Sequence, residues 1–345
     1  MKDKKAILNS ILEKAKKRGI NVGEKTDILY YPLLNPALLY LIGGDLPANG
    51  TMIELFGAEG SGKTTLALHI AKAVQEKDDR TIVYFQNEIN PRNVTEYAKR
   101  IGIDTSSVDR WLVLMHDNAE EAFEYINQMI KEDLVSLVIV DSVAFLIPME
   151  EKESSFQDQK YAPIAKLLSK VLKRLAVSGY YHNTFFIFVN QLRYNIDNAG
   201  RYASKWHTPG GKALAHAAHL RLELRRVSRI KQGDEEVGAV IELSTKKGKN
   251  KLYDVPKRVA QLSLYYGYGF DIYKEIFDFA VAFNIVKRSG AYYSYGTEKF
   301  KGKDGFIEKL KNDDVLLKEV YMKIREKILN SKNAVFGEEE EDEVD

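Results

Sequence analysis

The chain of 345 residues contains no cysteine. Disulfides, cysteine-ligated zinc sites and a cysteine nucleophile are therefore excluded, and the composition fits a reducing compartment. No apolar run reaches the roughly 18 residues that a transmembrane helix needs. The first residues, 1–5, lead into an amphipathic segment without the apolar stretch of a signal peptide. We therefore expect a cytoplasmic protein without a membrane partner.

The net charge of +2 conceals an uneven distribution of charged residues. Residues 338–345 contain seven acids and no base, and without them the chain has 51 bases against 42 acids. A basic body with an acidic tail is typical of a protein that binds a polyanion and whose tail competes for the same surface. A tail that only aids solubility is the alternative, and charge alone does not separate the two.

Residues 3–18 have the pattern of an amphipathic helix. One face at helical spacing carries Ile7, Leu8, Ile11, Leu12 and Ala15. A single terminal helix cannot bury such a face by itself. We therefore expect this helix to dock on its own core or on another subunit.

From residue 51 onward short apolar runs alternate with helical segments. Strands are predicted at 51–56, 81–85, 111–115, 137–140 and 184–189, and helices at 63–76, 92–101, 118–131 and 161–178. Apolar strands that alternate with helices indicate an α/β fold with a mainly parallel sheet covered on both faces. Strands at 220–225 and 240–245 are expected to be antiparallel additions, and a basic turn at 246–251 follows them.

Beyond residue 265 the pattern predicts a small α+β C-terminal domain. Its predicted elements are helices at 271–284, 303–312 and 315–330 and a tyrosine-rich hairpin at 291–295.

The strongest motif is a glycine-rich phosphate loop. Residues 57–64, Gly-Ala-Glu-Gly-Ser-Gly-Lys-Thr, fit G-x-x-x-x-G-K-[ST] and lie between a predicted strand and a predicted helix. The glycines allow backbone N–H groups to surround a phosphate chain, and the helix N-terminus adds a favourable dipole. We expect Lys63 to reach the β- and γ-phosphates and the Thr64 hydroxyl to bind Mg²⁺. The motif predicts a nucleoside triphosphate site.

Three polar residues follow other predicted strands. Asp141 ends the run that begins at Leu137, where its carboxylate would lie beside the magnesium ion. Glu88 follows strand 81–85 and is a candidate to polarise the attacking water, with a solvated loop glutamate as the alternative. Gln191 ends the fifth strand, where an amide can contact a γ-phosphate and report its loss.

A long loop at 192–209 combines basic and aromatic residues, namely Arg193, Tyr194, Arg201, Tyr202, Lys205 and Trp206. This mixture suits a nucleic-acid strand, through phosphate contacts and base stacking. An ordinary surface loop is the alternative. His216 and His219 have the spacing of metal ligands, but because no acid or cysteine is near them in sequence we expect structural roles.

Several motifs, in this order, resemble the RecA family of homologous-recombination ATPases. They are the phosphate loop, Val140-Asp-Ser-Val-Ala144, Phe188-Val-Asn-Gln-Leu-Arg193, Pro209-Gly-Gly-Lys-Ala-Leu214, Leu220-Arg-Leu-Glu-Leu-Arg-Arg226, Lys249-Asn-Lys251 and Gly290-Ala-Tyr-Tyr-Ser-Tyr295. The similarity runs from about residue 34 to about residue 330, so it includes a C-terminal domain that hexameric helicases lack.

The resemblance implies a RecA-type P-loop ATPase core that uses ATP and Mg²⁺. Such a protein forms a right-handed helical filament on single-stranded DNA and exchanges strands with homologous duplex DNA. Its partners are these DNAs, further copies of itself, and single-strand-binding and loader proteins. It works in the cytoplasm of a bacterial or phage-infected cell.

The resemblance also implies roles for individual residues. The catalytic residues are Glu88, Lys63 and Gln191. The ATP-binding positions are Gly57, Glu59, Gly60, Ser61, Gly62, Lys63, Thr64, Thr65, Tyr97, Asp141, Ser142, Lys249 and Lys251. Among them Tyr97 stacks on adenine, Thr64 and Asp141 hold magnesium, and the two last lysines reach from a neighbouring subunit. The DNA-binding positions are Tyr161, Lys166, Ser169, Lys173, Arg193, Ile196, Arg201, Lys205, Gly210 and Gly211.

The resemblance divides the chain into four parts. They are an N-terminal oligomerisation helix with its linker at 1–33, the ATPase core at 34–264, a small C-terminal DNA-gateway domain at 265–335 and a disordered acidic tail at 336–345. The loops expected to meet DNA, at 153–160 and 199–208, depart from the family pattern, and His216 stands where the family has a phenylalanine that links the ATP site to DNA.

Two alternative functions stay open at this point. One is a ring-forming RecA-fold motor such as a helicase, against which the C-terminal domain and Lys249 and Lys251 argue. The other is a non-catalytic filament or mediator protein that binds ATP as structural glue, against which Glu88 and Gln191 argue.

Overall fold

The computed structural model describes residues 4–17, 28–33, 35–88, 90–152, 163–194, 206–248 and 258–336. The helices are α1 Lys4–Lys17, α2 Pro36–Ile42, α3 Lys63–Gln75, α4 Pro91–Ile101, α5 Ala119–Lys131, α6 Met149–Lys152, α7 Pro163–Tyr181, α8 Gly211–Ala217, α9 Ile272–Ala282, α10 Gly302–Asn312 and α11 Asp314–Phe336. The strands are β1 Tyr30–Tyr31, β2 Leu46–Pro47, β3 Met52–Gly57, β4 Thr81–Phe85, β5 Trp111–Leu114, β6 Val135–Asp141, β7 Phe185–Gln191, β8 Arg193–Tyr194, β9 Trp206–His207, β10 Leu220–Gln232, β11 Glu235–Gly248, β12 Val259–Tyr265, β13 Gly269–Phe270, β14 Lys287–Ser289, β15 Tyr292–Tyr295 and β16 Glu298–Lys301.

A nine-stranded sheet in the order β13-β12-β11-β10-β3-β7-β6-β4-β5 organises the fold. The strands from β10 to β5 pair in parallel, and β11, β12 and β13 continue the sheet in antiparallel pairing. The predicted α/β fold with a mainly parallel sheet is therefore confirmed. The carboxyl ends of β3, β4, β6 and β7 meet at one edge of the sheet, and this edge carries the phosphate loop.

The apolar runs of the parallel strands are continuous because both faces of the sheet are covered. Along β7, Phe185 and Ile187 pack with α2, α3 and α4, whereas Phe186 and Phe188 pack with α5, α7 and α8. These four side chains are fully buried. Alternation along a strand thus contributes to two separate cores, one on each face.

The hairpin of β10 and β11 differs from the sequence-based prediction. The two strands span 220–232 and 235–248, because antiparallel pairing continues past the edge of the sheet, where β10 has lost its other neighbour. The expectation that 220–225 is an antiparallel addition was wrong for one side, since Leu220–Leu224 pairs in parallel with β3. The expected basic turn was also wrong at its start, because residues 246–248 belong to β11.

A smaller unit at the C-terminal end contains α9, α10, α11 and a three-stranded antiparallel sheet of β14, β15 and β16. The expected hairpin gains a third strand because β16 pairs with β15 along its whole length. Phe306 is fully buried at the centre of this unit, and the rings of Phe277 and Phe300 lie 6.0 and 5.0 Å from it. The predicted small α+β C-terminal domain is confirmed.

A buried carboxylate joins this unit to α2. Glu275 of α9 accepts hydrogen bonds from Asn35 Nδ2 at 2.8 Å and from the backbone N–H of Ala37 at 2.5 Å. Asn35 also caps α2, because its Oδ1 accepts from the N–H of Leu38. A second contact pairs Arg325 with Asp45 through two bonds of 2.5 and 2.6 Å.

Helix α1 presents apolar side chains to solvent. Leu8 is 54% exposed and Ile11 is 57% exposed. These two side chains are therefore not buried against the chain's own core, and the oligomerisation role expected for this helix stays a prediction. Within the described ranges no helix has the length and apolarity that crossing a membrane would require.

Candidate nucleotide site

The phosphate loop forms where β3 turns into α3. A Cβ on Gly57 would lie 2.1 Å from the carbonyl oxygen of Leu224 on the adjacent strand, so only glycine allows this approach. Gly60 and Gly62 have φ values of +68° and +82°, a region that side chains disfavour. The sequence pattern of this loop therefore has a direct backbone cause, and Lys63 is the first residue of α3.

A cleft of about 1020 Å³ opens above this loop. Its lining contains most residues that the resemblance assigned to ATP, namely Glu59, Gly60, Ser61, Gly62, Lys63, Thr64, Thr65, Glu88, Tyr97, Asp141, Ser142 and Gln191. These residues come from four separate strand ends and two helices. The parallel sheet brings them together, because the carboxyl ends of its strands share one edge.

Lys63, Thr64 and Asp141 form the polar floor of the cleft. The Thr64 hydroxyl donates to Asp141 Oδ2 at 2.6 Å. Lys63 Nζ donates to the carbonyl oxygens of Gly57 and Ala58 at 3.2 and 2.8 Å. Burial lowers the pKa of Lys63, and the carboxylates of Asp141, Glu88 and Glu59 partly offset this.

Burial also raises the pKa of Asp141, although hydrogen bonds from Thr64 and Tyr84 act in the opposite direction. The Tyr84 hydroxyl donates to the same Oδ2 atom at 2.6 Å. Sequence reasoning missed Tyr84. The available signal was its position one residue before the end of β4. Because β4 pairs with β6, this position sets Tyr84 beside Ile139, and Asp141 follows Ile139 by two residues.

Glu88 lies at the open side of the cleft. Burial raises the pKa of its carboxyl group, as do the negative charges of Asp141 and Glu59, while Lys63 lowers it. A carboxylate whose pKa is raised is a better proton acceptor than an ordinary surface glutamate. The direction of this shift fits the base role implied by the resemblance, and that role stays a prediction.

Gln191 lies beside the phosphate loop because β7 pairs with β3 in a register that sets Gln191 opposite Gly57. The preceding residue, Asn190, is fully buried and donates to Glu54 Oε1 at 2.9 Å and to the carbonyl of Pro209 at 3.0 Å. These bonds connect the end of β7 to the residues that precede α8. They give Gln191 a fixed backbone position.

The far wall of the cleft was not predicted from the sequence. It consists of Leu264, Tyr265, Tyr266 and Gly267, opposite Tyr97. Tyr97 shares a hydrogen bond of 2.7 Å with the Thr65 hydroxyl. The wall is held against α3 because the N–H of Phe270 donates to His69 Nε2 at 3.0 Å. No local sequence pattern predicts this long-range contact between Phe270 and His69.

The residues of the cleft fit a magnesium–nucleotide ligand. Ser61 Oγ is buried in the phosphate loop and has no hydrogen-bond partner among the described residues. One carboxylate and one hydroxyl are the hard oxygen donors that Mg²⁺ accepts, together with substrate phosphates. In the described ranges no group of three acidic or histidine side chains could bind a metal by itself. The phosphates would therefore have to complete the coordination.

Several predicted DNA-binding residues lie near one another on a second surface. Lys166, Ser169 and Lys173 are exposed along one face of α7. Gly210 and Gly211 begin α8 with φ values of +89° and +61°, and a Cβ on Gly210 would lie 2.6 Å from Leu168 of α7. Arg193 is exposed on β8, whose short ladder with β9 pairs it with His207.

The remaining predicted positions lie outside the described residues. They are Tyr161, Ile196, Arg201, Lys205, Lys249 and Lys251. The structural role expected for His219 is confirmed, because its Nδ1 accepts from the backbone N–H of Met52 at 3.1 Å.

Comparisons with known proteins identify two domain families in this chain. Residues 31–271 match the RecA N-terminal domain family, and residues 274–329 match the RecA C-terminal domain family. Protein RecA of Chlorobaculum tepidum is 33% identical over 332 residues, which cover 94% of this chain and 92% of that protein. Protein RecA of Chlorobium chlorochromatii is 35% identical over 294 residues, covering 84% and 79%. Protein RecA of Nautilia profundicola is 36% identical over 284 residues, covering 82% and 78%.

Proposed function

Because the chain belongs to the RecA family of recombinases, we propose that it is a DNA-dependent ATPase that forms filaments on single-stranded DNA and exchanges strands with homologous duplex. The observation that carries this proposal is the cleft that combines the phosphate loop, the Thr64–Asp141 pair, Glu88 and Gln191.

The residues of the cleft have separable tasks in hydrolysis. Lys63 would exchange its two carbonyl partners for phosphate oxygens, because an ammonium group gains more from anions than from neutral carbonyls. Thr64 and Asp141 would hold magnesium, which when bound neutralises charge on the phosphates. Glu88 would accept a proton from the attacking water at its carboxylate. Gln191 would donate its amide to the γ-phosphate.

The DNA surface is proposed from charge and position. Lys166 and Lys173 on α7 and Arg193 on β8 offer cations to phosphates, and such contacts fix a strand without reading its sequence. Asn190 supports a connection between this surface and the cleft, because it bonds Pro209 next to the Gly210–Gly211 pair. Loss of a γ-phosphate at Gln191 would thus act on the adjacent residue Asn190, and through its hydrogen bond to Pro209 on the DNA surface.

The test is an ATPase assay with and without single-stranded DNA, together with electron microscopy of the protein with ATP and DNA. We expect ATP turnover to rise on DNA and helical filaments to appear. Rings instead of filaments would favour the helicase alternative. Filaments without turnover would favour the non-catalytic alternative.

Strand exchange needs its own assay, because hydrolysis and filaments do not prove it. D-loop formation with homologous duplex is expected, and a mismatched duplex is the control. Equal yields with the two duplexes would contradict a role in homologous pairing.

A further inference from the structure

Tyr84 has a buried hydroxyl group that its packing against apolar neighbours does not require. It lies on β4 with 1% of its surface exposed, and its ring is 5.4 Å from that of Trp111. A phenylalanine would make the same ring contacts. A buried tyrosine hydroxyl instead needs a hydrogen-bond partner, and the partner here is the carboxylate of Asp141.

The two hydrogen bonds to Asp141 end on the same oxygen. Tyr84 and Thr64 each donate to Oδ2 at 2.6 Å. The described residues therefore leave Oδ1 to accept from a ligand or from its water. Two donors from different elements, β4 and the start of α3, restrict rotation of the carboxylate.

Within the described residues no cationic side chain donates a hydrogen bond to Asp141, although the charge of Lys63 acts on it through space. Its two hydrogen-bond donors are neutral hydroxyls, and Lys63 donates to the carbonyls of Gly57 and Ala58. A buried carboxylate that is oriented by neutral donors remains able to attract a cation. Outer groups of this kind orient metal ligands and affect metal affinity strongly.

We propose that Tyr84 is a positioning residue of the magnesium–nucleotide site, whose buried hydroxyl holds the Asp141 carboxylate in the orientation that the metal requires. This inference rests on the proposed function, because it assumes that the cleft binds a nucleotide with magnesium. It adds a buried residue from within β4 to the residues that line the cleft.

The test compares Tyr84→Phe with a matched control, Tyr31→Phe. Tyr31 is also fully buried and also donates to an aspartate, Asp78, at 2.7 Å, but it does not line the nucleotide cleft. Binding of a fluorescent ATP analogue is titrated with Mg²⁺ for each full-length protein. We expect Tyr84→Phe to raise the magnesium midpoint roughly tenfold or more, and Tyr31→Phe to leave it unchanged.

A purely structural role for Tyr84 gives a different result. Both variants would then lose stability in urea unfolding while their magnesium midpoints stayed at the wild-type value, and this would overturn the inference. Wild-type protein without any magnesium-dependent nucleotide binding would overturn the proposed function, and the inference with it. The two failures are thus distinguishable.

A double variant tests whether Tyr84 acts through Asp141. In Asp141→Asn the charged acceptor is gone, so adding Tyr84→Phe should change nucleotide affinity less than twofold. An additional loss of tenfold in that background would show that Tyr84 does not act through Asp141, and would overturn the inference.

Discussion

Two buried tyrosine–aspartate pairs lie at opposite ends of the same sheet. Tyr84 donates to Asp141 at the carboxyl ends of the strands, and Tyr31 donates to Asp78, just before β4 begins. The hydrogen bonds are nearly equal, at 2.6 and 2.7 Å. The two pairs differ in what else the carboxylate contacts.

The Asp78 carboxylate is paired with the guanidinium group of Arg80. Arg80 Nε donates to Asp78 Oδ1 at 3.0 Å and Arg80 Nη2 to Oδ2 at 2.7 Å, and the same guanidinium bonds the carbonyls of His182 and Asn183. Burial alone would raise the pKa of Asp78, but hydrogen bonds from Arg80 and Tyr31 hold it below its usual value.

Asp141 has no such partner, and burial raises its pKa. The contrast separates a structural carboxylate from one that we propose binds a ligand. A bidentate arginine both neutralises a carboxylate and fixes its orientation. Hydroxyl donors fix the orientation of a carboxylate but leave its negative charge unneutralised. Substitution of the two cations and of the acids, and the pH dependence of stability, test this contrast.

The largest effects are expected from removal of the two cations. Lys63→Ala should weaken nucleotide binding on the order of a thousandfold, because two charge-assisted bonds to phosphate are lost. Its stability without ligand should change little. Arg80→Ala should instead cost about 3 kcal/mol of stability, because Asp78 is left unpaired. Nucleotide titration measures the binding and urea unfolding measures the stability of each variant. Lower stability in Lys63→Ala together with weaker nucleotide binding in Arg80→Ala would contradict the contrast.

The next effect concerns Glu88 at the open side of the cleft. Glu88→Gln should retain nucleotide binding but lose turnover by about a hundredfold or more, because an amide accepts a proton far less readily than a carboxylate. Single-turnover ATP hydrolysis measures this, and Glu121→Gln on exposed α5 is the control. Wild-type turnover in Glu88→Gln would remove the proposed base.

The two aspartates should respond to pH with opposite signs. Asp78 has a lowered pKa, so it stabilises the fold above the pKa of an unfolded aspartate, and this contribution disappears as pH falls through the folded value. Asp78→Asn should therefore cost about 3 kcal/mol at pH 7 and less at pH 3. Asp141 has a raised pKa, so its charge destabilises the ligand-free fold as pH rises.

Asp141→Asn should accordingly be as stable as the wild type at pH 7, or more stable, while its magnesium dependence is lost. Urea unfolding at several pH values checks both variants. A loss of stability in Asp141→Asn equal to that of Asp78→Asn would show that the two pairs are equivalent.

The smallest effect extends the contrast to Glu275, which joins α9 to α2. Burial raises its pKa to about 8, against a partial lowering by the N–H of Ala37. Its favourable contribution is complete below the unfolded pKa of about 4.3 and is lost as pH rises to about 8. Stability of wild type should fall over this interval relative to Glu275→Gln. Parallel stability curves for the two proteins would contradict the raised pKa.

Local sequence determined the parallel strands β3 to β7, the phosphate loop and the helices α3, α4, α5, α7, α9, α10 and α11. Apolar runs of five to seven residues between helical segments favour strands buried on both faces, and Gly60 and Gly62 adopt positive φ values that other residues disfavour. Asp141, Glu88 and Gln191 were predictable for the same reason, because parallel strands end at a common edge. The family resemblance added Tyr97, whose role no local pattern indicates.

Only the tertiary structure decided which side chains complete the cleft. The wall at 264–267, the support of His69 and the hydroxyl of Tyr84 depend on contacts between segments far apart in the chain. The length of the β10–β11 hairpin was decided in the same way, because pairing continues wherever a partner strand is present. Periodicity records which residues are buried, but it carries no information about which buried groups meet, since that depends on sheet order and register.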